Sequence, residues 1–73
     1  MQLRLTLEQA GRLRLHLFNT QGELLQMSAH DLPAGPQELT FRLRDPQWPA
    51  GIYFLRLLDE HGEIMTRQLI KGH

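Results

Sequence analysis

Ser28, His30 and Asp31 fall within four residues of one another, and together they carry the three side-chain types of a nucleophilic triad. Such chemistry also needs a strained elbow to present the hydroxyl, and amides to hold the oxyanion. Nothing around Ser28, the only serine, supplies either. Ser28 and His30 are instead expected to share the solvent face of one strand. His16, His30, His61 and His73 show no helical or hairpin spacing of metal ligands, so no metal site is expected. Glu8, Glu23, Glu38, Glu60 and Glu63 fall at turns or strand ends. Acid–base work by two carboxylates needs a cleft that separates their pKa values, and a domain of this length offers little room for one. The glycines form neither a dinucleotide-binding nor a phosphate-loop pattern. With no cysteine, disulfides, thiolate metal sites and thiol nucleophiles are all absent. No catalytic residue, cofactor or metal is expected.

Two other residue sets are suited to binding. Arg4, Arg12, Arg14, Arg42, Arg44 and Arg56 alternate with leucines or lie beside them, in a chain with seven arginines and one lysine. On paired strands they would form either a cationic stripe for phosphate or carboxylate groups, or a soluble outer face balanced by acids. Trp48, Tyr53 and Phe54 would form either a sugar platform or part of the core. Formal net charge is zero, with eight acids and eight bases, which argues against a dedicated nucleic-acid binder. The physical reading is a binding or structural module and not an enzyme.

The elements that position these residues follow from a period of two. Leu3, Leu5 and Leu7 alternate with Arg4 and Thr6; Leu13, Leu15 and Leu17 alternate with Arg12, Arg14 and His16. Leu39, Phe41 and Leu43 alternate with Thr40, Arg42 and Arg44. A helix would scatter these leucines around its circumference, whereas a strand aligns them on one face. Asn19–Leu24 and Asp59–Ile64 each open on an Asx side chain and pass through a glycine, the chemistry of a hairpin. Pro33, Pro36, Pro46 and Pro49 mark connections, because proline cannot donate to a strand ladder. Residues 45–51 form the longest irregular connection, with Trp48 expected to cap one end of the core. Ile52–Leu58 is almost continuously apolar, the pattern of a strand covered on both faces or central to a sandwich. The last run is Glu63–Lys71. The chain of 73 residues is thus one all-β domain, a small sandwich of about six to seven antiparallel strands. The longest apolar run is too short for a membrane-spanning helix, and no signal peptide opens the segment; one belonging to a parent protein would lie upstream.

Leu13–Leu24 is an alternating strand running into an Asn-x-x-Gly hairpin, Leu32–Gly35 is a turn followed by the strand Leu39–Phe41, Pro49–Leu57 is a glycine-x-tyrosine strand, and Thr66–Lys71 is a basic-apolar terminal strand. In their order and spacing these segments resemble the hairpin, next turn and strand, glycine-x-tyrosine strand and terminal strand of the C-terminal sorting domains of the type IX secretion system, with Asn19 in place of the usual Asp and Gln68 where many members carry Lys. The resemblance implies an immunoglobulin-like sandwich that ends secreted proteins of the Bacteroidetes and is recognised by a translocon after the cargo reaches the periplasm. In many members a sortase-like peptidase then removes it and the cargo is anchored at the cell surface. The recognition residues so implied are Gly51, Tyr53, Arg67, Leu69, Ile70 and Lys71, with the terminal strand offering its backbone edge to a receptor. Measured against the family, a first strand is missing before Met1, which implies an open edge able to pair with another copy. The immunoglobulin-like domain of flagellar hook-capping proteins and sandwich modules of secreted hydrolases share the pattern. A retained assembly module or a carbohydrate-binding module is therefore the alternative.

Overall fold

The computed structural model describes residues 2–42 and 48–72. Every regular element among them is a strand: β1 (Gln2–Leu7), β2 (Gly11–Phe18), β3 (Leu24–Leu32), β4 (Gly35–Thr40), β5 (Gly51–Asp59) and β6 (Gly62–Lys71). They form two antiparallel sheets, one of order β3-β2-β5-β6 and one in which β1 pairs with β4. The chain is a small β-sandwich. Leu43, Arg44 and Pro46, and His73 at the other end, lie outside the described residues.

Alternation decides which side chains meet. Leu13, Leu15, Leu17, Leu55 and Leu57 are at most 1% exposed, and the register places Leu15 beside Leu57 and Leu17 beside Leu55. Leu3, Phe41 and Tyr53 complete the buried core, with Leu5, Leu39, Trp48, Met65 and Leu69 packed around it. Arg4, Arg12, Arg14 and Arg56 hold the opposite parity and face outward, as the leucine–arginine alternation requires. β4 ends at Thr40, so Phe41 is buried from the loop beyond it, and Arg42 is exposed there instead of on a strand. Glu38 lies within β4 and faces out, not at a turn.

Both expected hairpins form. Asn19 Oδ1 accepts hydrogen bonds from the amides of Gln21 (2.9 Å) and Glu23 (3.0 Å), and Gly22 takes φ 81°. Asp59 Oδ1 accepts from the His61 amide at 2.8 Å, before Gly62 at φ 124°. At both glycines a Cβ would strain the turn.

Of the two readings of Ile52–Leu58, a strand covered on both faces is excluded: β5 is central in its sheet, between β2 and β6, but Ile52 is 43% exposed on its outer face. One expectation is corrected. Ser28 and His30 do share one face of β3, but it is the inner one. They pair with the core leucines Leu15 and Leu13, and Ser28 is half-buried, while His30 lies beyond the covered part of that face and is exposed, as expected. The reversal comes from a bulge: Leu17 pairs with Gln26 while Phe18 pairs with Leu24, so Leu25 is an extra residue and shifts the parity of the rest of β3.

Truncating Leu55 to alanine removes a fully enclosed side chain at the centre of the larger sheet, and should cost about 3 kcal/mol of stability. A urea midpoint unchanged in Leu55→Ala would contradict this placement of the core.

Candidate recognition surface

The six residues implied by the family resemblance come together on one two-strand ladder. Gly51 pairs with Lys71, Ile52 with Ile70, Tyr53 with Leu69, and Leu55 with Arg67. Parity then divides them. Tyr53, Leu69, Arg67 and Lys71 belong to the inner face, while Ile70 faces out and is 77% exposed.

Four of the six hold the fold, Leu69 by packing against the core. Tyr53 is buried, and its hydroxyl donates to the Pro49 carbonyl. A tyrosine near the start of a strand that bonds the backbone just upstream is the corner device of immunoglobulin-like sandwiches. Lys71 Nζ donates to the Trp48 carbonyl. Gly51, at φ 148°, lets the chain turn from that tethered stretch directly into β5. Tyr53 and Lys71 therefore pin the same connection from two strands, with Trp48 half-buried against the core. Tyr53 is thus not available as a sugar platform.

The outward side carries a feature that the sequence pattern alone did not reveal. Across the larger sheet the register runs Leu24, Phe18, Phe54, Gln68, and the next outward row joins Ile52 to Ile70. Leu24 is 48% exposed, and Met27 lies in the neighbouring row beside His16. This is a contiguous apolar surface on a sheet face that no described element covers. Its signal was the almost continuously apolar run Ile52–Leu58: apart from Arg56 both parities are apolar, and only one of them finds a partner layer.

The arginines border this surface but do not make it a bare cationic stripe. The Arg56 guanidinium lies 5.0 Å from the centroid of the Phe18 ring, and its Nε is 2.6 Å from Glu63 Oε1. His16 meets the same ring edge-on, at 6.3 Å between centroids. Arg12 Nε is 3.2 Å from Asp31 Oδ1. Both charges are answered within the sheet, as a solvated face requires, and each such exposed pair contributes at most about 1 kcal/mol. Arg14, in the row between them, has no ion pair among the described residues. Among the described residues, no group of three His, Asp or Glu side chains is placed to hold a metal ion.

Comparison with protein-family models, with curated proteins and with solved structures finds no match to this chain.

Replacing Tyr53 by phenylalanine leaves the ring in place and orphans the Pro49 carbonyl. The expected loss is about 1 kcal/mol, read by chemical denaturation. Stability equal to the parent's would show that the hydroxyl does not tether the connection.

Proposed function

We propose that this chain is a non-catalytic recognition module, a C-terminal sorting domain of the type IX secretion kind, which the export machinery reads through the outward face of β5 and β6. The observation that carries the reading is the apolar row ending at Ile70, the most exposed of the large hydrophobic side chains among the described residues. Contiguous apolar surface of this kind is retained where a partner covers it. The row lies on the ladder that holds the six residues implied by the resemblance, and Ile70 itself is one of them. On this reading the partners are the translocon and a sortase-like peptidase, with cargo upstream, and the domain passes through the periplasm to the cell surface. Gly51, Tyr53 and Lys71 act by holding the ladder in shape, and Ile52, Phe54 and Ile70 make the contact.

A second reading is a retained accessory or assembly sandwich of the hook-capping kind. It is favoured by the breadth of the apolar face, which continues from Phe54 past the terminal ladder to Phe18 and Leu24. A face of that width suits a sister domain packed against the sheet.

Residues 1–73 fused to a periplasmic reporter should carry it to the surface of a type IX-competent host. Replacing Ile52 and Ile70 together by aspartate should reduce delivery at least about tenfold, the scale of losing a central contact, while circular dichroism is unchanged. A native fusion retained in the periplasm removes the sorting reading. Undiminished delivery by a folded double variant removes the outward face as its site.

A further inference from the structure

The two sheets are unequal, and the mismatch leaves part of the inner surface open. β4 comes after β3 with only Pro33 and Ala34 between them, and just past its far end the Arg42 carbonyl accepts a hydrogen bond from Gln26 of β3 at 3.1 Å. Both ends of β4 are therefore tied to β3, and β1 lies on the side toward β5 and β6. Leu55 and Leu57 of β5 are fully covered, whereas on β6 Met65 and Leu69 are only half-buried and Arg67 is exposed. At the end near Gly62, Ile64 joins Met65, Leu5 and Leu7 around a cleft of about 570 Å³ between the sheets.

The sheet edges differ in how they are protected. β3 has a bulge at Leu25 and polar inward residues Gln26, Ser28 and His30; β4 carries Pro36. β6 has a bulge at Ile64 and the inward-facing Arg67. Bulges, prolines and inward charges are the devices that stop an edge from accepting another strand. β1 has none of them. It alternates Leu3, Leu5 and Leu7 inward with Gln2, Arg4 and Thr6 outward, and Arg4 is answered by Glu38 at 3.8 Å.

We propose that the edge of β1 left unpaired by the described strands and the inner face of β6 form one strand-accepting groove. Its occupant is an extended segment of another polypeptide that sets an acidic side chain against Arg67 and apolar side chains against Met65 and Leu69. Strand spacing supplies the pattern: Met65, Arg67 and Leu69 are two residues apart along one face, so the occupant reads apolar-x-acidic-x-apolar. The charge complement is specific. Arg67 has no ion pair among the described residues, and its Nε lies 3.2 Å from the Met65 sulfur, a weak acceptor. A second copy of this chain does not fit. Its β1 would set a leucine against Arg67, and would bring its own β5 and β6 into the space that β6 fills. This groove opens on the side of the larger sheet opposite the apolar row, so it stands or falls independently of the sorting reading.

The test is a titration of the ¹⁵N-labelled chain with two strand peptides of alternating threonine and valine, one carrying glutamate and the other lysine at the central inward position. The glutamate peptide should shift β1 amides together with Met65–Leu69, and should bind at least about tenfold more tightly than the lysine peptide, as a close charge pair requires. Arg67→Glu should invert that preference. If the variant does not fold, the two peptides on the native chain still decide. Absence of binding, equal binding of both peptides, or shifts confined to the β3 or outer β6 edge would overturn the proposal. So would self-association of the chain through β1.

Discussion

Five leucines on two neighbouring strands hold the rest of the molecule in place. Leu13, Leu15 and Leu17 on β2 and Leu55 and Leu57 on β5 are sealed from water, and the pairing of β2 with β5 joins the two hairpins of the larger sheet. Because side chains alternate, a slip of one residue in either strand would turn Arg14, His16 or Arg56 inward and expose the leucines. Burying an unpaired guanidinium costs far more than the slip could return. The register is therefore fixed by what must not be buried as much as by what must. A domain of 73 residues buries only about 60% of its unfolded surface, so few other contacts are available to share that role.

Once that register is set, neighbouring residues along a strand acquire unrelated roles. On β6, Leu69 and Lys71 serve the interior, the first by packing and the second by tethering Trp48, while Ile70 between them faces solvent. On β5, Tyr53 closes the corner while Ile52 and Phe54 extend an apolar surface away from it. One motif thus contains both the scaffold and the surface that the scaffold presents. The exposed row keeps some apolar area in water, a cost that a covering partner would remove.

The architecture was legible where periodicity was strict. β1, β2 and both hairpins follow from alternating leucines and from Asn19, Gly22, Asp59 and Gly62, because period and turn chemistry act locally. Legibility ended where one residue changed the count. The extra residue at Leu25 reversed the faces of Ser28 and His30, and nothing in the local composition marks a bulge there. The run Ile52–Leu58 revealed the strand but not its coverage, since an apolar side chain does not show whether another layer reaches it. The motif residues were found as a set, and only the pairing of β5 with β6 divided them between two faces.

The division of β6 into an inner and an outer row underlies both the fold and the recognition surface drawn from it. Comparing the urea stability of Leu69→Asp with that of Ile70→Asp tests it directly, because the two sites are adjacent in sequence and receive the same change. Leu69→Asp should lose about 2 kcal/mol or more, while Ile70→Asp stays within about 0.5 kcal/mol of the parent. Equal losses, or the greater loss at Ile70, would contradict it.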